Sequence, residues 1–172
     1  AQIRAEECIL CGECTIICPQ KTKDAVSEVA ELREALSAGK TVIASVAPSY
    51  FAYFNATYHP LKAALARLKF ADAFETAEGA YLVKSEYEKL MERNPEQVWI
   101  SSCCSSVNLL IEKYYPQVLP HLAPVLTPIQ AHAKLLKERY PDALIAFITP
   151  CISKKVERYS PEAQVDLVIT FE

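Results

Sequence analysis

Four cysteines crowd into one short stretch, Cys8, Cys11, Cys14 and Cys18, with Pro19 directly after the last. Thiolates spaced C-x2-C-x2-C-x3-C can wrap one face of an iron–sulfur cubane while the backbone amides between them point at its sulfides. Gly12 permits the tight wrap, and Pro19 turns the chain away after the last thiol. Structural zinc prefers two pairs of ligands separated by a longer loop. Disulfides between such near neighbours would be strained. The spacing therefore predicts a [4Fe-4S] cluster on Cys8, Cys11, Cys14 and Cys18, a group that moves single electrons. In two-cluster proteins the fourth cysteine of such a run serves the other cluster. The sequence holds no second run, so Cys18 either completes the same cubane or serves a partner motif upstream.

Three cysteines remain. Cys103 and Cys104 follow the apolar run Val98–Ser101, and Cys151 follows Ala143–Thr149. Pro48 and Ser49 follow a third run, Thr41–Ala47. If all three runs are strands of one open parallel sheet, these turns lie together beyond the carboxyl ends of the strands, where ligands bind. Helix N-termini there favour thiolates and anionic clusters. Taken singly, each of these cysteines could instead be a buried apolar thiol.

The elements that must position these residues alternate between strands and helices. Val29, Leu32 and Leu36 fall at helical spacing, with Gly39 where a helix ends. Pro60 opens a helix in which Leu61, Leu65 and Leu68 share a face. Ser85-Glu86-Tyr87-Glu88 fits a capping box, and Thr127-Pro128-Ile129-Gln130 fits one with proline in the first turn. Val107, Leu110, Ile111 and Tyr114 form a helical stripe that ends before Pro116. Thr41–Ala47, Val98–Ser101, Ala143–Thr149 and Val165–Thr170 read as strands, and continuous apolar strands between amphipathic helices predict a parallel sheet covered on both faces. The expected fold is α/β: a four-stranded, mostly parallel sheet with flanking helices, plus a small cysteine module. Residues 1–23 form the module, too poor in apolar side chains to fold without a metal, and residues 24–172 form the α/β domain. The last strand stops where it would hand over to a helix, so the domain is expected to be cut short at its C-terminus. The start at Ala1, seven residues ahead of Cys8, fits a truncation too.

The 172 residues are 51% hydrophobic and 23% charged, a globular balance. A net charge of −3 provides no basic field for nucleic acid or an anionic membrane. Apolar runs are far shorter than the ~20 residues of a membrane helix, and the first residues lack the apolar stretch of a secretory signal. A cytoplasmic location is expected. Seven cysteines, clustered rather than spread, indicate metal or redox chemistry rather than a disulfide framework, and an oxygen-sensitive cluster suits an anaerobic host.

The sequence resembles the catalytic domain of [FeFe] hydrogenases. Ser101-Ser102-Cys103-Cys104 looks like that family's first signature, TSCCPGW, and Thr149-Pro150-Cys151-Ile152-Ser153-Lys154-Lys155-Val156-Glu157 looks like its second, MPCxxKxxE. Ala47-Pro48-Ser49 is similar to a family turn that touches the diiron cyanides. Glu112-Lys113-Tyr114-Tyr115-Pro116 and Thr127-Pro128 match family positions. The sensory-type branch, in which a ferredoxin-like module ending CPQ precedes the domain, is the nearest in flavour. The resemblance implies an H-cluster, a [4Fe-4S] cubane joined through cysteine to a diiron unit. By motif position Cys104 and Cys151 are two cubane ligands, Cys103 is the thiol that passes protons, and Lys154 donates to a cyanide. For Lys154 and Lys155 the plainer reading is a solvated helix face.

Departures from the family pattern are specific. Pro-Gly-Trp of the first signature is Ser105-Ser106-Val107, the Met of the second is Thr149, and acidic proton-path positions fall near Tyr87 and Leu90. The third signature, with two further cysteines, does not occur in these residues, which leaves the cubane short of four thiolates. Two function classes follow. One is part of a hydrogenase-like enzyme or sensor interconverting H2 with protons and electrons, with electrons leaving through the N-terminal cluster. The other is a non-catalytic iron–sulfur redox sensor or electron-transfer module on a degenerate hydrogenase scaffold. The implied partners are a redox protein such as ferredoxin or a sensor or kinase domain. A third reading is a zinc-stabilised α/β binding domain.

Overall fold

The β-branched run at Thr41–Ala47 forms strand β1, Val42–Val46, in which every residue is buried. The computed structural model describes residues 2–160, 162 and 164–172; Ala1, the first residue of the expected module, lies outside them. β1 is central. Strand β2, Asp72–Glu75, flanks it on one side and strand β3, Leu144–Thr149, on the other, with strand β4, Leu167–Thr170, outside β3. The order is β2-β1-β3-β4 and every pairing is parallel.

Three of the four expected strands are in this sheet. Val98–Ser101 is not: Ile100 makes only an isolated parallel bridge to Leu122. Its apolar content is not buried on two faces, for Val98 is 72% exposed. The fourth strand is Asp72-Ala73-Phe74-Glu75 instead, disguised by its two acids. At the sheet edge those acids need no burial: Asp72 pairs with Lys62 at 2.6 Å, and Glu75 accepts the Tyr50 hydroxyl at 2.8 Å.

Period-two alternation along β1 splits the core. Val42, Ala44 and Val46 face one layer with Leu32, Ala35, Leu65 and Phe70, contributed by helices α2 (Val29–Ser37) and α4 (Tyr58–Arg67) and the turn after α4. The short helices α1 (Glu13–Ile17) and α3 (Tyr50–Phe54) precede these two. Ile43, Ile145, Phe147 and Val168 face the other layer, against Ile129, Ala133 and Leu136 of α7 (Pro128–Arg139). Leu68 falls just beyond α4 and is 62% exposed, so the expected apolar face of that helix ends at Leu65.

α5 (Ala77–Arg93) begins after Thr76, so Ser85 lies inside the helix and does not cap it. It packs on α7 at Gly79, where a Cβ would lie 2.1 Å from the Pro128 carbonyl oxygen and 2.6 Å from His132 Cβ. The α7 capping box forms as the sequence indicates, with Thr127 and Gln130 bonding reciprocally. Between β1 and these helices lies a buried polar chain: the Ser45 hydroxyl meets Thr76 Oγ1 at 2.9 Å and His132 Nδ1 at 2.8 Å. Burial holds the His132 imidazole down at about 4, well below the usual range. α6 (Ser105–Tyr114) leads into the 3-10 helix Pro116–His121, and a second 3-10 helix, Ile152–Tyr159, joins β3 to β4. Among the described residues no helix is long and apolar enough to cross a membrane.

Candidate functional site

β1 and β3 run side by side with Val46 opposite Ile148, and the Ala47 amide donates to the Ile148 carbonyl at 2.9 Å. The chain leaves β1 toward β2 and leaves β3 toward β4, so the strands diverge in connection at this point, and the crevice beyond their carboxyl ends is where open parallel sheets bind ligands. Pro48-Ser49 and Pro150-Cys151 sit on the two lips of that crevice. Thr149, 2% exposed, turns the second lip: its hydroxyl accepts the Cys151 amide at 3.3 Å. Cys151 Sγ lies 3.0 Å from the Ser153 hydroxyl. The threonine that departs from the family methionine thus holds the cysteine turn by a side-chain bond.

The Cys103-Cys104 turn reaches this edge by a different route. It follows no sheet strand, and side chains tether it instead. Cys104 stands at the N-cap of α6 with φ −104° and ψ 109°, and Cys151 stands at the N-cap of its 3-10 helix with φ −107° and ψ 118°, nearly the same backbone geometry. Lys154 Nζ donates to the Cys103 carbonyl at 2.6 Å and pairs with Glu157. Glu157, 5% exposed, also accepts the hydroxyls of Ser105 and Thr127. One buried carboxylate therefore ties together the starts of α6 and α7 and the helix that follows Cys151.

Two plainer readings of these residues are overturned. Lys154 and Lys155 do not form a solvated face: their side chains are 16% and 14% exposed, and Lys155 is bonded to Glu28 and to the Val168 carbonyl. Cys103, Cys104 and Cys151 are exposed, not buried apolar thiols. Cys103 Sγ accepts the Ser101 hydroxyl at 3.1 Å, Ser101 meets the Tyr87 hydroxyl at 3.1 Å, and Tyr87 accepts the Ser102 amide at 2.9 Å. Tyr87, at a position where an acid is expected, is thus wired to the Cys103 turn through hydroxyls. Ser101, Ser105, Thr127 and Glu157 bond into this site although motif reading left them without roles; the signals were the hydroxyl-rich spelling around Cys103 and Cys104 for the two serines, the capping box for Thr127 and the closing acid of the second signature for Glu157.

In the N-terminal module Leu10 and Gly12 take left-handed φ values of 57° and 82°, which bend the loop between Cys8 and Cys14. The Leu10 amide donates to Cys8 Sγ at 3.4 Å, the amide-to-sulfur bonding a thiolate-bound cluster uses. The hydroxyl of Thr22, 3.4 Å from Cys18 Sγ, acts with backbone amides nearby to pull the Cys18 thiol down to about 7. Four thiols in this spacing, a glycine-permitted bend and an amide aimed at sulfur fit a [4Fe-4S] cluster. Among the described residues, no three Cys, His, Asp or Glu side chains are gathered as a single metal ion requires. The module touches the domain: Gly12 lies beside Ile152, the neighbour of Cys151, where an added Cβ would come within 3.2 Å of Ile152 Cδ1.

A family model described as the iron only hydrogenase large subunit, C-terminal domain, matches residues 40–172. The NADP-reducing hydrogenase subunit HndD of Solidesulfovibrio fructosivorans is 27% identical over 95% of this chain and 34% of its own length. Iron hydrogenase 1 of Clostridium pasteurianum is 28% identical over 81% of this chain and 28% of its own. The cytosolic Fe-S cluster assembly factor NAR1 of Kluyveromyces lactis is 38% identical over a shorter stretch, 47% of this chain and 18% of its own. The chain spans about a third or less of the length of these relatives.

Proposed function

The chain belongs to the family of the iron-only hydrogenase large subunit, C-terminal domain, and from that premise we propose that it is an iron–sulfur electron-transfer protein of the hydrogenase type. In this reading residues 1–23 are a ferredoxin-like module that carries electrons, and residues 24–172 are the hydrogenase-like domain. The observation that supports it best is the matched pair of helix starts at Cys104 and Cys151, locked to each other through Lys154, Glu157 and Ser105. When bound, a cubane joined to a diiron unit supplies the interconversion of H2 with protons and electrons.

The chain's own residues have distinct tasks. Cys104 and Cys151 contribute two thiolates at helix N-termini, where the backbone amides favour negative charge. Pro48 and Ser49 close the opposite lip. Lys154 spends two of its three N–H donors on the Cys103 carbonyl and Glu157, and the third suits an anionic diatomic ligand. Cys103 is the proton-carrying thiol, with Ser101 and Tyr87 behind it in place of a carboxylate. Cys8, Cys11, Cys14 and Cys18 hold the electron-carrying cluster. A redox protein such as ferredoxin, or a sensor domain, is the partner class, and an anaerobic cytoplasm suits the thiolate-bound iron.

Infrared spectroscopy of the maturated full-length protein, purified anaerobically and with the third cysteine signature present, tests this. CO and CN⁻ stretches together with H/D exchange support it, and Cys103→Ala should abolish the exchange; spectra without either band remove it. The substitutions at the signatures favour a second reading, a non-catalytic redox module. Ser105 and Thr149 are not loose replacements, since each bonds into the scaffold, and a matched relative bears the name of an Fe-S cluster assembly factor. In that case the N-terminal cluster still titrates, and Cys103→Ala leaves its behaviour unchanged.

A further inference from the structure

α6 starts directly after its N-cap residue Cys104 and ends by gripping the N-terminal module. In its last turn Lys113 Nζ donates to the carbonyls of Ala5 at 2.9 Å and Cys8 at 2.7 Å, and the Tyr114 hydroxyl donates to the Glu7 carbonyl at 2.7 Å. Cys8 is the first thiol of the module, so an ammonium is bonded to the main chain of a cluster ligand. The adjacent carbonyl shows that a neutral hydroxyl suffices as a latch. At Cys8 the donor is a cation.

That cation acts differently on the two redox states. A [4Fe-4S] cluster with four thiolates carries one more negative charge when reduced, so a cation nearby stabilises the reduced form more than the oxidised form and raises the midpoint potential. Glu7, the nearest acid in this turn, is paired with Arg4 at 2.9 Å and so opposes the lysine less. We propose that Lys113 is a positioning and tuning residue for the N-terminal cluster: it fixes the Cys8 loop on α6 and holds the cluster's potential up by its charge. This rests on the reading that Cys8, Cys11, Cys14 and Cys18 bind a cubane. The redox step it tunes takes one electron from a low-potential donor, with no bond made and no proton moved. Because Lys113 is exposed, its influence is screened by salt.

The test uses the full chain reconstituted anaerobically with ferrous iron and sulfide, titrated with dithionite and followed by electron paramagnetic resonance. Lys113→Gln keeps an N–H donor for the Cys8 carbonyl and removes the charge; Lys113→Arg keeps both; Tyr114→Phe removes the neutral latch. The expected result is a midpoint shifted to more negative potential in Lys113→Gln alone, with the gap to the unmodified protein narrowing as salt rises. A Lys113→Gln midpoint equal to that of the unmodified protein overturns the proposal. So does an equal shift in Tyr114→Phe, which would trace the effect to loosened docking. Loss of the cluster in Lys113→Gln with retention in Tyr114→Phe also overturns it, since Lys113 would then be structural only. If the unmodified protein takes up no iron and sulfide, the underlying cluster reading fails, and the metal count distinguishes that from failure of the tuning alone.

Discussion

In the N-terminal module Cys11, on a loop, and Cys14, in the short helix α1, are exposed like Ile16 and Ile17, 79% and 65% exposed, and the loop ahead of α1 owes its bend to left-handed residues. At the sheet edge the thiols of Cys104 and Cys151 are exposed too, yet each caps a helix whose first turns rest on buried partners: Ser105, Ser153 and Glu157 are 4%, 1% and 5% exposed. The first region has almost no core; in the proposed reading its ordering draws on the cluster, with Lys113 and Tyr114 tethering its main chain to α6. The second has its shape determined by protein packing before any ligand arrives. The same donor atom is thus presented once on a coreless segment and once on a packed scaffold.

The sharpest way to break that contrast is to remove thiols from the module. Cys11→Ala combined with Cys14→Ala should abolish the N-terminal cluster and deprotect the amides of the first 23 residues in hydrogen exchange, while the urea midpoint of the remaining domain stays put. A large fall in that midpoint would show that the domain leans on the module. Next in size is Glu157→Ala at the sheet edge. It strands the largely buried Lys154 and two hydroxyls, and removing one partner of a buried ion pair costs about 3–5 kcal/mol. Chemical denaturation would read this as a loss for the whole domain, with the module's iron content unchanged while the domain stays folded.

Acid should separate the regions more gently. His132 is folded with its pKa held at about 4, against an ordinary 6.5, by burial against Ser45; Glu78 and Arg139, the charges near it, act in opposite directions. Between those values the unfolded chain takes up a proton that the folded one refuses. Stability is therefore full above about pH 6.5 and falls as pH drops toward 4, by up to about 3 kcal/mol. Denaturation midpoints at pH 7.5 and pH 5 measure it, and His132→Gln should flatten this component of the dependence. The smallest effect is expected for Thr127→Ala, which deletes a helix cap and one bond to Glu157, on the order of 1–2 kcal/mol in thermal unfolding.

Much of this was legible without coordinates, for local reasons. The thiol spacing at Cys8–Cys18, the β-branched run of β1 and the Thr127–Gln130 capping box each carry their meaning within a few residues, and β1 and the cap form where their patterns indicate. Val98–Ser101 misled because a short apolar run looks alike whether it is buried in a sheet or lies across a surface. Asp72–Glu75 escaped notice because edge strands tolerate charge. The bonds made by Tyr87, Ser105 and Lys113 could not be read, since each reaches a partner 14 or more positions away along the chain.

By itself the sequence determined which atoms could meet iron, since thiol spacing is a property of the chain, and it determined the α/β alternation, since periodicity is local. Only the tertiary structure decided that Cys104 and Cys151 share an edge, that a buried glutamate locks their helices together, and that Lys113 reaches the Cys8 turn. Those facts depend on how the strands are ordered and how the helices pack, and on charges made neighbours by folding.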